Sequence, residues 1–196
     1  LVNDVIWNPA AYITPKGFVN SLKAMVKNTN YEAKNSTSYK TESSVNEISS
    51  VLSFTSSLPM KKESSKYSNI FSPNFMIRFA PGHMRNLESE GTGLYASNLF
   101  TINKTGQDDV VDTGTSAIIG LDYTIDRKKE DVDGIVGTEP KLELSLGQIY
   151  STETNDKMPT TSSLDNKISD IVGNINYYFS ENKKIGYKFT LDNDLE

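Results

Sequence analysis

Strict alternation of apolar and polar residues is the feature that most constrains the fold of this chain. Between Ser116 and Asp126 the odd-numbered positions are apolar, and the even-numbered positions are polar or glycine apart from Ile118. Successive side chains of a β-strand point to opposite faces, so a period of two predicts a strand with one apolar face. That face is formed by Ala117, Ile119, Leu121, Tyr123 and Ile125.

The same period recurs along the whole chain and predicts about eight strands, whereas helical periodicity is scarcely visible. The predicted strands cover residues 18–29, 47–58, 69–81, 95–103, 116–126, 141–150, 171–180 and 184–192. The connection at 180–184 is short enough for a tight hairpin, but those at 126–140 and 151–169 are too long for one. We therefore predict an all-β, antiparallel fold, with no linker to mark a second domain.

Alternation does not by itself say which face is buried. A soluble β-sandwich turns its apolar face inward, while a transmembrane β-barrel turns it toward lipid. The long apolar faces, the tyrosines near strand ends and strands of ten to seventeen residues favour the barrel. The fold class that we predict is therefore an antiparallel transmembrane β-barrel segment of about eight strands from a larger barrel. Seven charged residues on the opposite, polar face are the candidates for facing a wet lumen: Lys23, Lys27, Glu47, Arg78, Asp122, Glu143 and Lys188.

Global composition excludes some functions. A net charge of -5 and a pI near 5.0 give no electrostatic basis for binding nucleic acid. The absence of cysteine removes disulfides and thiolate chemistry from this chain. The chain begins at Leu1 without a Met or signal peptide and stops inside an alternating segment, so we expect residues 1–196 to be part of one barrel domain from a longer protein.

No segment predicts catalysis, a cofactor or a metal with any specificity. The single histidine, His83, follows a strand in a Pro-Gly turn, and no nucleophile elbow accompanies it, so an exposed loop histidine is the simpler interpretation. An outer-membrane lipase, which uses Ser and His on a barrel, is the enzyme alternative. The segment "EDVDG" at 130–134 is similar to the start of a calcium loop, but the closing bidentate Glu is missing, which favours a solvated charged turn.

Five motifs in a fixed order go beyond general barrel character. They are "NDVIWNP" (3–9), "SPNFMIRFAPGHMRNL" (72–87), "NLFTINKTGQDDVVDTGTSAIIGLDYTI" (98–125), "LELSLGQIY" (142–150) and "SDIVGNINYYFSENKKIGYKFTLDNDL" (169–195). Together they resemble part of the C-terminal β-barrel of the LPS-assembly outer-membrane proteins of the LptD (OstA) family. The resemblance implies an integral outer-membrane protein of a Gram-negative envelope that inserts lipopolysaccharide (LPS) into the outer leaflet and performs no catalysis.

The resemblance also implies partners that the chain alone does not reveal. They are lipopolysaccharide itself, a plug lipoprotein, LptE, inside the lumen, and a periplasmic Lpt bridge that docks on an N-terminal domain outside this chain. On this basis Lys23, Lys27, Arg78 and Lys188 would meet phosphates or carboxylates, and the three acidic candidates would pair with them or bind the plug. Ordinary hydration or pairing with a neighbouring strand is the simpler role for each. The cysteines that link the two domains in some members are absent here, which leaves a disulfide-dependent assembly open.

Two other functions remain open from the sequence. One is another type of outer-membrane barrel, such as a passive porin or a surface adhesin, and the other is a soluble β-sandwich that serves as a binding module. An isolated fragment of eight strands would have two unpaired edges and is expected to aggregate rather than form a faithful barrel. The short turn at 180–184 suggests that its end of the sheet is periplasmic, with the 151–169 loop outside.

Overall fold

A computed structural model describes residues 1–36, 39–41, 44–90, 93–130, 136–180 and 182–193, without the side chains of Glu130 and Val136. In these residues the chain forms one antiparallel sheet of ten strands, which confirms the all-β prediction. The described part contains no helix long and apolar enough to cross a membrane. The strands are β1 (Val2–Trp7), β2 (Tyr12–Ile13), β3 (Val19–Tyr31), β4 (Val45–Ser57), β5 (Met60–Glu63), β6 (Tyr67–Ala80), β7 (Gly114–Glu130), β8 (Val136–Ser151), β9 (Ile171–Ser180) and β10 (Lys183–Leu191).

The ten strands occupy eight positions across the sheet. Strands β1 and β2 both pair with β3, one beyond the other, and β4 and β5 both pair with β6 in the same way. The spatial order β1-β3-β4-β6-β7-β8-β9-β10 follows the chain, so the sheet is a meander of successive hairpins. Strands β1 and β10 form its two edges, and the sheet is not closed.

The two ends of the sheet differ in the length of the connections between strands. Short turns join β2 to β3 and β5 to β6, and they lie at the end of the sheet where β7 and β9 end and β8 and β10 begin. The connections 32–44, 81–113 and 152–170 are all at the opposite end. We call these the turn end and the loop end. The expectation of a long 126–140 connection is wrong, because β7 and β8 continue pairing to Glu130 and Val136. Apart from the Glu130 backbone, the candidate calcium segment 130–134 lies outside the described residues.

The predicted strand at 95–103 is wrong, because this segment belongs to the 81–113 loop. Asn98 organises a turn there: its Oδ1 accepts from the Tyr95 N–H at 2.8 Å, and its Nδ2 donates to the Gly93 carbonyl at 3.2 Å. Asn side chains that bond nearby backbone in this way compete with a strand ladder. The apolar residues that suggested a strand, Leu99 and Ile102, are buried against the sheet instead. Three strands, β1, β2 and β5, were not predicted.

The two faces of the sheet differ in what covers them. One face, which we call the apolar face, is exposed along its length; the other, the loop-covered face, packs under the 81–113 and 152–170 loops. The exposed apolar side chains include Val5, Leu22, Val26, Ile48, Leu52, Phe54, Phe71, Phe75, Ile77, Phe79, Ile119, Ile175, Phe179, Ile185, Tyr187 and Leu191. The buried core is therefore on the opposite face from the apolar alternation that defines the strands.

Ile118, the one exception in the alternating segment, lies at the centre of that core and is fully buried. With Met76, Ile149 and Val172 it forms the strand side of the main cluster. The loops supply the other side through Met84, Leu87, Leu94, Leu99, Val110, Met158 and Leu164. An isolated large apolar residue on a polar face thus marks the place where a loop packs on the sheet.

Paired glycines make room for the loop. Gly120 on β7 lies directly opposite Gly147 on β8. A Cβ at Gly120 would be 2.7 Å from the ring of Phe100, and a Cβ at Gly147 would overlap Leu99. Close backbone approach of this kind is a usual reason for glycine inside a strand. These two glycines therefore form the seat for Leu99 and Phe100.

Candidate functional site

All seven predicted charged residues lie on the loop-covered face. Directly opposite residues of antiparallel strands share a face. Lys23 lies directly opposite Ser53, and Ser53 lies opposite Arg78, so Lys23 and Arg78 share a face. A second row of directly opposite residues crosses β7 to β10 and consists of Asp122, Ser145, Asn174 and Lys188. Lys27 lies on the same strand face as Lys23, Glu47 is opposite Thr29, and Glu143 is two residues from Ser145. They spread over six strands and do not converge on a single point.

Lys27 fixes the 81–113 loop to β3. It is buried, and its Nζ lies 2.8 Å from a carboxylate oxygen of Asp4 and 2.5 Å from the Asp108 carbonyl. The neighbouring Thr29 hydroxyl donates to the Asp109 carbonyl at 2.9 Å. Because both contacts to the loop are made with carbonyl oxygens, they depend on the path of the loop backbone rather than on its side chains.

Arg78 holds the same loop to β6 and is almost completely buried. Its Nε donates to the Ile102 carbonyl at 2.7 Å, and its Nη2 donates to the Asp112 carbonyl at 2.6 Å. The Asp112 carboxylate lies 3.0 Å from the same nitrogen. A buried guanidinium keeps its charge only where hydrogen bonds and a counter-charge replace water, and all of these come from the loop.

Lys104 adds a second cation to this buried cluster. Its Nζ is 3.9 Å from Asp112 and has no hydrogen-bond partner among the described residues. Burial is the main reason that the pKa of Lys104 falls to about 8, with a further decrease from Arg78. Burial would raise the pKa of Asp112, but the charges of Arg78 and Lys104 and backbone hydrogen bonds lower it overall. One carboxylate is thus the shared counter-charge of two cations.

A third group of polar residues joins the 32–44 connection to the 81–113 loop. Arg85 bonds both oxygens of Asp109, at 2.9 and 3.1 Å, and lies 4.4 Å from the centre of the Tyr39 ring. Tyr39 donates to Asp109 at 2.7 Å; burial and this hydrogen bond raise the pKa of Tyr39 to about 12. Nearby, Glu47 lies 3.1 Å from Lys40 and 3.3 Å from His83. His83 is mostly exposed, as predicted for a loop histidine.

Of the remaining candidates, Lys23 is half-buried on β3, and Asp122, Glu143 and Lys188 lie on β7, β8 and β10. Asp122 accepts from Asn74 at 2.6 Å, and Glu143 accepts from Tyr178 at 2.7 Å. Lys188 lies 5.8 Å from the centre of the Tyr95 ring. A cavity of about 430 Å³ opens here, and its lining includes Tyr95, Ser97, Ser145, Asn174, Lys188 and Thr190. Hydroxyls, an amide, a cation and an aromatic ring are groups that can contact a sugar.

The sequence did not indicate the loop partners Asp109, Asp112, Arg85 and Lys104. Each lies in a segment without periodicity, and each acquires its role only when the loop folds back onto the sheet. The signal available was the segment "GQDDVVD" at 106–112, where three acidic residues surround two buried valines, Val110 and Val111. Charged and buried residues side by side in a connection indicate a packed loop rather than a solvated one.

Comparison with known proteins identifies the family. A search of curated proteins gave no significant match. The family model for LptD, LPS transport system D, matches residues 10–196, which leaves out only the first nine residues. Proteins of this family act in lipopolysaccharide transport and assembly at the outer membrane. The match agrees with the antiparallel all-β architecture and with its exposed apolar face, and we conclude that this chain belongs to the LptD family.

Proposed function

We propose that the chain is a segment of an outer-membrane barrel that passes lipopolysaccharide through its lumen and inserts it into the outer leaflet. One observation carries the proposal: the two faces of the sheet are chemically opposite, and it is the apolar face that is left exposed. A soluble sandwich would bury that face. A lipid-facing barrel wall requires it to be outside.

The loop-covered face suits the saccharide portion of the substrate. Lipopolysaccharide carries phosphates, carboxylates and many hydroxyls, which need cations and hydrogen-bonding groups along their route. Lys23 and Lys188 supply cations, whereas Arg78 is already occupied by the 81–113 loop. Asp122 and Glu143 are held in hydrogen bonds by neighbouring strands. We propose that this face lines the lumen, with the acidic residues pairing with its cations or contacting the plug.

The proposed assembly extends beyond this chain. Further strands would pair with β1 and β10, which are the edges of the sheet in the described residues. An LptE-like lipoprotein would occupy the lumen beside the 81–113 loop, and a periplasmic Lpt bridge would deliver the lipid through an N-terminal domain. The barrel acts as a route and not as an enzyme. The turn end would face the periplasm and the loop end the exterior, as in barrels with short periplasmic turns.

Site-specific photocrosslinking in cells tests the proposal. A photoreactive amino acid at Lys23 or Lys188 on the loop-covered face should capture lipopolysaccharide during export. The same group at Ile185, on the apolar face near the turn end, should capture phospholipid instead. Depletion of the protein should reduce lipopolysaccharide in the outer leaflet. Capture of lipopolysaccharide from neither luminal position, or normal outer-leaflet lipopolysaccharide after depletion, would refute the proposed route and favour a passive porin.

A further inference from the structure

Basic side chains form a belt on the apolar face, close to the turn end. We define the basic belt as Lys62, Arg127, Lys129 and Lys141. Lys62 lies directly opposite Asn69, and Asn69 lies opposite Ile125, so Lys62 shares the outward face of Ile125. Arg127 follows Ile125 by two positions on β7 and therefore lies on the same face. Lys129 follows Arg127 by two more positions. Lys141 stands at a bulge and lies 4.2 Å from the centre of the outward Tyr177 ring.

The belt has an excess of positive charge. Lys129 is paired with Glu139 at 2.6 Å, and Glu139 is the only acidic side chain described on the outward face of β5 to β8 at this end. Lys141 donates to the Tyr177 hydroxyl at 2.5 Å. Lys62 is exposed and Arg127 is half-buried, and neither forms an ion pair with any residue that the structure describes. These two charges are thus available to an external anion.

Two cations on the other face of the same end, Lys61 and Lys128, are paired within the chain. Lys61 lies 2.5 Å from Glu63, and Lys128 lies 3.0 Å from it. One carboxylate therefore serves both lysines within the chain. In contrast, Lys62 and Arg127 on the outward face are placed to bind an anion outside the protein rather than a carboxylate of a neighbouring strand.

The loop end of the apolar face is different. Asn28, Asn30 and Asn46 lie there and bond to one another through their amides, at 2.5 to 3.0 Å. Gln148 and Tyr150 continue this neutral polar edge, joined by a hydrogen bond of 2.7 Å. The apolar face thus ends in neutral amides at the loop end and in cations at the turn end. The two ends therefore suit interfaces of different charge.

We infer that the basic belt binds the phosphate headgroups of anionic phospholipid in the leaflet next to the turn end. The belt lies beside aromatic residues that border the apolar band, Tyr67 and Tyr177, as expected for side chains that snorkel to a headgroup region. Each Lys or Arg near an anionic surface contributes roughly 1 kcal/mol of attraction. The inference rests on the proposed function, because it requires the apolar face to contact lipid.

Lipid retention by the full-length protein tests the inference. The protein is purified in detergent and offered phosphatidylglycerol, phosphatidylethanolamine or lipopolysaccharide, and bound lipid is counted by native mass spectrometry. Lys62→Gln with Arg127→Gln should lower the affinity for phosphatidylglycerol by up to about 30-fold, with little effect on phosphatidylethanolamine. Lys61→Gln with Lys128→Gln removes the same charge from the same end but the other face, and should leave phosphatidylglycerol binding unchanged.

Three results would overturn the inference. The first is equal retention of phosphatidylglycerol and phosphatidylethanolamine by the wild type, and the second is an equal loss of phosphatidylglycerol binding in both double variants. The third is a loss confined to lipopolysaccharide binding, which would place the belt in the other leaflet. Insertion into neutral phosphatidylcholine vesicles separates this failure from failure of the proposed function. A protein that inserts there but shows no phosphatidylglycerol preference contradicts only the belt. A protein that does not insert contradicts the lipid-facing wall itself.

Discussion

At the scale of single residues, buried charge decides how the loop is held. Arg78 is within the sheet, but every group that satisfies it comes from the 81–113 loop. Such a buried ion pair contributes little net stability compared with an apolar contact. Removing only one partner is strongly destabilising, because it leaves the other charge buried without a counter-charge. The loop therefore has one well-defined position on the sheet, and single substitutions in the cluster should have large effects.

Replacing Asp112 by Asn should destabilise the protein by roughly 3 kcal/mol, because it leaves Arg78 and Lys104 buried without a counter-charge. The change is measured as a decrease in the free energy of unfolding of the full-length protein in detergent. Asp156→Asn, in the exposed part of the other long loop, is the control and should change stability by less than about 0.5 kcal/mol. Equal stabilities of the two variants would refute the role of the cluster.

Lys104 predicts an unusual pH dependence. Its pKa is about 8 in the folded protein against an ordinary 10.5, so the unfolded chain holds more protons between these values. Stability should therefore rise with pH from 8 to 10, by roughly 2 kcal/mol, as the buried ammonium is discharged. Well below pH 8 both states hold the proton, so the free-energy cost of burying the ammonium no longer changes with pH. Unfolding measured across this range should show the rise in the wild type and a flatter profile in Lys104→Met; parallel profiles would contradict the assignment.

At the scale of elements, the glycine seat connects the sheet to its cover. Gly120→Val should push Phe100 and the 81–113 loop away from β7, at a cost of roughly 1–3 kcal/mol, because the new side chain occupies the space of the ring. Limited proteolysis should cut the loop faster in this variant than in the wild type. Gly137→Val is the matched control, since its nearest neighbour is 3.9 Å away. Equal rates of cleavage in both variants would show that the glycines do not seat the loop.

The elements also show what could be predicted from the sequence. Alternation located the seven strands that pair over long stretches, because each must present one continuous face to its surroundings. For the same reason it assigned Lys23 and Lys188 to the face opposite the apolar alternation, which is the loop-covered face. It could not locate the turn around Asn98, where local hydrogen bonds outweigh the apolar pattern, nor the short β5. The loop partners Asp109 and Asp112 were also missed, since their contacts depend on tertiary packing alone.

At the scale of the whole molecule, the usual arrangement of apolar surface is inverted. The largest apolar surface lies outside, while the packed core lies between the sheet and its own loops. Short turns at one end, long loops at the other and a charge difference between the two edges of the apolar face give the sheet a direction. Membership of the LptD family gives the chain a role in lipopolysaccharide transport and assembly at the outer membrane.

The most direct test measures which face contacts lipid. A spin label is attached at Ile119→Cys on the apolar face or at Asn174→Cys on the loop-covered face of the full-length protein, reconstituted in a bilayer. Collisions with oxygen, which concentrates in lipid, are compared with collisions with a water-soluble nickel chelate. A lipid-facing apolar face should give oxygen-dominated relaxation at residue 119 and nickel-dominated relaxation at residue 174. The reverse order, or nickel access at both positions, would contradict the lipid-facing apolar face.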